Sequence, residues 1–206
     1  MTLVLPPVIL GSASPRSREI LESLGIAHVV HVAAVDEDVL EGETPDTYLV
    51  RIVRAKLAAV QRSLPSPSSD ATLILVADTS VIVEGGGRET ILGKPSDARD
   101  ALRMVTLLGG STHEVHTRFA LGAAADGRVL HEETVRTKVT FRPLSNERAL
   151  AYASSGEGLD KAGGYAVQGL GAALVARIEG SYTNVVGLPA CEVSVALEAL
   201  AEARIC

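Results

Sequence analysis

The residues best placed to act on an anion begin at Val8-Ile9-Leu10, an apolar run that breaks into Gly11-Ser12-Ala13-Ser14-Pro15-Arg16. A buried strand ending in small residues lets a ligand approach the backbone. The helix start that follows offers unpaired N–H groups and a positive dipole end, which suits a phosphate. Ser14 is suited to cap that helix and Pro15 to be its first residue. Arg16 adds a forked cationic donor. An ordinary strand–turn–helix with a surface arginine is the competing reading of this segment.

Lys56 is a second anomaly. The helix expected from Thr44-Pro45 carries an apolar stripe of Leu49, Ile52, Val53, Leu57 and Val60. Lys56 lies three residues after Val53, four after Ile52 and four before Val60, inside the stripe. Either it reaches a phosphate in a cleft, or it snorkels from the stripe's edge. Asp78 follows the apolar run Leu73-Ile74-Leu75-Val76-Ala77. Ligands of open α/β sheets lie beyond the carboxyl ends of strands, where a carboxylate can hold a divalent metal or take a proton from water. A turn-forming aspartate is the alternative.

Glu37 sits in an acidic loop with Asp36 and Asp38, and such charge runs are usually solvated. Lys94 lies between Gly93 and Pro95 before a helix expected to be capped by Ser96, a repeat of the first junction. Two such junctions suit a polyphosphate. Asp160-Lys161 and Gln168 belong to a glycine-rich insert. The carboxamide of Gln168 could read a base edge with a paired donor and acceptor, or the insert could be a structural loop held by Asp160 and Lys161.

The elements that must position these groups can be read from periodicity and punctuation. Helices are expected over Ser14 to Leu24, from Thr44-Pro45 to about Arg62, from Ser96 to the Gly109-Gly110 stop, from Ser145 to about Ser154, and from near Pro189 toward the C-terminus. Strands are expected over His28 to Val32, Thr72 to Ala77, Val115 to Ala123, Val129 to Phe141 and Ala172 to Ile178. A hairpin joins Val81-Ile82-Val83 to Thr90-Ile91-Leu92, and Leu64 to Asp70 reads as a Pro/Ser loop. Crossover and hairpin connections together imply an α/β fold with a mixed sheet.

Composition narrows the function. The net charge of -6 argues against a broad nucleic-acid surface. It also makes a divalent metal a natural helper for an anionic ligand. Cys191 and Cys206 form neither a zinc pattern nor a disulfide framework, which points to a reducing compartment. No signal peptide or membrane-length apolar run is read, so a cytoplasmic protein with no membrane partner is expected. There is no G-x-x-x-x-G-K-[ST], no G-x-G-x-x-G after a strand and no G-x-S-x-G, and His113-Glu114-Val115-His116 is not H-E-x-x-H.

Taken in order, the motifs resemble the Maf family of nucleoside triphosphate pyrophosphatases. They are S-x-S-P-R (Ser12 to Arg16), A-D-T (Ala77 to Thr79), G-K-P (Gly93 to Pro95) and T-H-E-V-x-T (Thr112 to Thr117). Two more follow: S-G-E-x-x-D-K-A-G-x-Y-x-x-Q-G (Ser155 to Gly169) and G-S-Y-x-x-V-V-G-L-P (Gly180 to Pro189). Each is weak alone; six in order are strong. The resemblance implies one domain with two lobes around a deep cleft, similar to inosine-triphosphate pyrophosphatases. It implies hydrolysis of a nucleoside triphosphate, dTTP and UTP for this branch, to the monophosphate and pyrophosphate with Mg²⁺ or Mn²⁺.

In that resemblance Asp78 matches the proton acceptor, Glu37, Lys56 and Lys94 match the polar active-site set, and Arg16, Thr79 and Gln168 match positions linked to base choice. The mechanism expected from these residues has Glu37 and Asp78 as metal ligands and Ser12, Lys56 and Lys94 as phosphate contacts. One departure is Ser17, where many members of the pyrimidine branch carry a second arginine. Two rivals remain: a nucleotide-binding regulator of cell division with little turnover, which the intact Asp78 argues against, and a modified-purine triphosphate pyrophosphatase of the same fold, which Gln168 argues against. The oligomeric state is left open, a homodimer being one option.

Overall fold

The computed structural model describes residue 5, residues 7–65 and residues 73–203. Thr72, residues 66–70 of the Pro/Ser loop and Cys206 lie outside the described residues. The opening apolar run forms β1 (Val8–Leu10), buried throughout, and leads into α1 (Pro15–Ser23). β2 (His28–Val30) stops two residues short of the expected strand and pairs in parallel with β1. α2 (Pro45–Ser63) buries the anticipated stripe of Leu49, Ile52, Val53, Leu57 and Val60. Reciprocal bonds between Thr44 and Thr47 close its N-terminus, a capping box made with two threonines.

β3 (Leu73–Gly85) differs most from expectation. The strand does not end at Asp78 but continues through it for 13 residues in all. Leu73–Leu75 pair in parallel with β1, and Val81–Gly85 pair antiparallel with β4 (Arg88–Leu92). Asp78 therefore sits where the strand changes partners. The polar triplet Asp78-Thr79-Ser80 resembled a turn because a strand buried on both faces gives a continuous apolar run, and here that run stops while the strand goes on. The hairpin closes through Gly86 and Gly87, whose positive φ values of 61° and 75° meet the demand of a two-residue primed turn.

α3 (Ala98–Leu108) is capped by Asp97, whose side chain accepts from Asp100 N, and not by Ser96. β5 (Thr112–Ala123) and β6 (Val129–Phe141) run antiparallel. Ala123 N donates to Arg128 O at one end of the pair, and Phe141 N donates to Ser111 O at the other. Ser145 caps α4 (Asn146–Ser154) as expected. β7 (Val175–Glu179) begins later than predicted because Gly169–Ala173 form a 3-10 turn. The short α5 (Tyr182–Val186) was not anticipated, and α6 (Ala190–Glu202) follows Pro189.

Among the described residues, seven strands form one mixed sheet in the order β2-β1-β3-β5-β6-β7, with β4 paired to β3. The mixed α/β architecture is thus as expected. The chain forms two compact units. Among the described residues, one comprises those up to residue 78, residues 117–135 and those from residue 187 on; the other comprises 79–116 and 136–186. The first is built around Ile9, Val53, Leu57, Val60, Ile74 and Val76. The second concentrates the chain's few aromatic rings, with Phe141 and Tyr165 edge to face at 4.8 Å. No helix of the described residues is long and apolar enough to cross a membrane.

Candidate active site

The first unit gathers three of the expected site residues at one point. Lys56 Nζ lies 2.6 Å from Asp78 Oδ1 and 2.7 Å from Glu37 Oε1. Its position in the apolar stripe of α2 forces the stem inward, and its side chain is only 15 % exposed. Burial would lower the lysine pKa, but the Asp78 and Glu37 carboxylates outweigh burial and raise it, so the ammonium stays charged. The snorkelling alternative is thereby excluded. In this structure Lys56 meets carboxylates, where a phosphate contact was expected.

The loop that carries Glu37 is not a free charge run. Tyr48 Oη donates to Glu37 O at 3.1 Å, and Arg51 Nη2 donates to Asp38 O at 2.8 Å. Arg51 also grips both oxygens of Glu43 at 2.6 Å, while Leu40 N donates to Glu43 Oε2. Burial, and then the charges of Asp78 and Glu37, push the Tyr48 hydroxyl well above its usual pKa, so it remains a donor. Tyr48, Arg51 and Lys56 all project from α2. One helix therefore anchors the loop and supplies the cation that meets Glu37. Tyr48, Arg51 and Glu43 were missed from sequence; the available signal was the place of Tyr48 and Arg51 on the helix that carries Lys56, with Glu43 just before its N-cap.

Ser12 and Arg16 lie at the strand–helix junction of the same unit. Ser14 occupies the N-cap position of α1 without a side-chain bond to the helix. Ser12 Oγ instead accepts from Ser14 N at 3.2 Å, making a local turn. Gly11 has a packing reason to be glycine: an added Cβ would come within 2.7 Å of Val76 Cγ1 and 2.8 Å of Val60 Cγ2. Ser17, the departure from the family pattern, is 3 % exposed. Arg18 does not replace the absent second arginine, since it pairs with Glu22 on the exposed face of α1.

The second unit holds Thr79, Lys94 and Gln168. Thr79 is half-buried in β3, and Lys94 and Gln168 are exposed. Gly163 N donates to Gly93 O at 3.0 Å, which ties the segment before Lys94 to the glycine-rich insert. The expected second phosphate junction needs correction. The N-terminus of α3 is already served by its own acids, with Asp97 Oδ1 on Asp100 N at 2.8 Å and Asp100 Oδ2 on Ser96 N at 3.1 Å. The Ser96 backbone donor and Arg103 hold Asp100 below its usual pKa against the effect of burial. Within the insert, Lys161 Nζ donates to Glu157 O at 2.7 Å and to Asp160 Oδ1 at 2.5 Å, so this pair holds backbone.

Among the described residues no group of three or more His, Cys, Asp or Glu side chains is arranged to hold a metal ion by itself. Glu37 and Asp78 nevertheless converge on one cation. Two carboxylates are what Mg²⁺ takes when substrate phosphates and water complete its shell, so this pair fits such an ion.

The mixed α/β fold carries a partly buried acid–lysine–acid cluster of Glu37, Lys56 and Asp78. The family model for Maf-like protein matches residues 7–200, and the chain belongs to that family. A dTTP/UTP pyrophosphatase of Geotalea uraniireducens is 47 % identical over 191 residues, covering 92 % of this chain and 93 % of that protein. The dTTP/UTP pyrophosphatase of Myxococcus xanthus is 48 % identical over 193 residues, covering 93 % and 91 %. The one from Burkholderia pseudomallei is 41 % identical over 200 residues, covering 94 % and 93 %. A solved nucleoside-triphosphatase / dITP/XTP pyrophosphatase from Mycobacterium abscessus matches at TM-score 0.35 and 15 % identity over 66 % of this chain and 72 % of that one.

Proposed function

We propose that this protein hydrolyses dTTP and UTP to the nucleoside monophosphate and pyrophosphate. The convergence of Glu37 and Asp78 on Lys56 carries the reading, because it sets two carboxylates and a buried cation at one point. The names of relatives at 41–48 % identity over nearly the whole chain support it. Glu37 and Asp78 would hold Mg²⁺ or Mn²⁺, which when bound supplies positive charge to the triphosphate oxygens.

Asp78 orients a water and accepts its proton as the water oxygen bonds to the α-phosphorus. The bond from that phosphorus to the bridging oxygen breaks, and pyrophosphate leaves. Lys56 keeps one oxygen of Asp78 fixed and so sets the carboxylate plane. Arg16, Lys56 and Lys94 offset charge on phosphate oxygens, with Ser12 as a further donor to them. Thr79 and Gln168 contact the base. The carboxamide of Gln168 matches the O4 acceptor and N3–H donor shared by uracil and thymine, and cytosine reverses both groups.

The test is kcat/KM for UTP, dTTP, CTP and GTP, with product analysis in isotopically labelled water. The reading expects label in the monophosphate, comparable use of UTP and dTTP, and rejection of CTP because cytosine sets donor against donor and acceptor against acceptor at the carboxamide. Equal use of CTP and UTP overturns the role of Gln168. Absence of turnover on every nucleotide overturns the enzymatic reading and favours a nucleotide-binding regulator.

A further inference from the structure

The glycine-rich insert carries a side chain that the proposed chemistry does not use. Glu157 reaches from the start of the insert to the turn that follows Gln168. Its Oε1 accepts from Leu170 N at 2.8 Å, and its Oε2 accepts from Gly171 N at 2.8 Å. These are backbone N–H groups in the first turn of the 3-10 segment Gly169–Ala173, for which Gln168 is the N-cap residue. Gln168 makes no side-chain capping bond there. Glu157, 11 residues earlier in the chain, caps that turn.

Before Gln168, the Tyr152 hydroxyl accepts from Ala166 N at 2.9 Å. The backbone is therefore held on both sides of Gln168, at Ala166 before it and at Leu170 and Gly171 after it. Gly169 is part of the device. Its φ is +63°, and a Cβ there would overlap Glu157 Oε1. Glycine lets the carboxylate lie against the turn. Lys161 Nζ, on Glu157 O at 2.7 Å, fixes the backbone from which Glu157 projects.

We propose that Glu157 is a positioning residue for base recognition, fixing the backbone of the Gln168 turn so that the carboxamide presents one donor–acceptor pattern. This rests on Gln168 as the base-contacting residue. An exposed glutamine on a turn of glycines would otherwise sample many orientations, and an unfixed carboxamide cannot penalise cytosine. Preorganisation of the turn converts its two polar atoms into discrimination. A carboxylate suits the task because both of its oxygens accept, one for each N–H group, whereas a carboxamide would place a donor NH₂ against one of them.

The test compares Glu157→Gln, Gly169→Ala and Gln168→Glu with the unmutated protein, reading kcat/KM for UTP and CTP, kcat at saturating UTP, and Tm. Glu157→Gln turns one acceptor into a donor facing a backbone N–H. Gly169→Ala pushes an intact carboxylate off the turn. Both are expected to lower the UTP-to-CTP ratio about tenfold or more, through KM for UTP, with kcat changed less than about threefold. A merely structural role would lower activity on both nucleotides together and leave the ratio unchanged. If Gln168→Glu changes the ratio while Glu157→Gln, folded and with normal Tm, does not, the positioning role is overturned and the Gln168 reading stands. If none of the three changes it, both readings fall. Where Glu157→Gln does not fold, the ratio for Gly169→Ala decides.

Discussion

Lys56 Nζ lies 2.6 Å from Asp78 Oδ1, linking the middle of α2 to the point where β3 changes partners. The contact spans 22 residues and places the cation of the helix's apolar face on the carboxylate of the strand. Glu37 completes the cluster at 2.7 Å from the same nitrogen.

This pairing fixes the sign of a stability change. An unpaired buried ammonium would make Lys56→Met neutral or stabilising. Here its removal leaves two carboxylates facing each other without a cation. Lys56→Met is expected to lose roughly 1–3 kcal/mol, less than a fully buried pair because the Glu37 side chain is 42 % exposed. Activity falls sharply as well. Chemical denaturation checks the first statement. A variant as stable as the parent would show that the cluster contributes only to function.

His113 predicts a pH dependence above the carboxylate range. Burial lowers its pKa from 6.5 to about 4, and its Nε2 meets Tyr165 Oη at 2.8 Å. The unfolded chain therefore binds a proton between these values that the folded protein does not. Stability should fall as pH drops from 6.5 toward 4. His113→Gln should flatten that part of a Tm-against-pH curve, and an unchanged slope would assign the loss to other groups.

Glu132 governs a lower window. Its carboxylate bonds Arg54, at 2.5 Å, and Arg118, at 3.0 Å. The Arg54 contact above all, with Arg118, outweighs burial and holds its pKa at about 2. The contribution is complete above the ordinary glutamate value near 4.5 and is lost as pH falls toward 2. Glu132→Gln should lower Tm at neutral pH and have progressively less effect in acid. An equal loss at every pH would contradict the ionic account.

Gly11→Ala tests the packing of the strand–helix junction. The added methyl meets Val76 and Val60 at 2.7 and 2.8 Å, so one of these side chains must shift. A loss of about 1–3 kcal/mol is expected. Unchanged stability in urea would mean that the junction has slack.

Much of this was legible because local rules pointed one way. The i±3 and i±4 neighbours of Lys56 marked it as turned inward, and β1, α2 and the Gly86-Gly87 hairpin followed from periodicity and turn chemistry. Other features depend on contacts remote in sequence. Nothing local distinguishes Glu37 from Asp36 or Asp38; Lys56 and Tyr48 do so from α2. Ser96 and Asp97 are both good caps one residue apart, and the placement of Asp100 decides between them. Asp78 looked like a strand end because polar residues in a strand that changes partners resemble a turn.

The most direct test of the central claim is product analysis of UTP hydrolysis with Mg²⁺, comparing the unmutated protein with Asp78→Asn. Asparagine retains an acceptor for Lys56 and Glu37 keeps its charge there, so the fold should be kept with a modest loss of Tm. The account predicts UMP and pyrophosphate in equal amounts, with kcat lowered by roughly 10²–10⁴ in the variant. Release of UDP and phosphate, or near-normal turnover by a folded Asp78→Asn protein, would contradict it.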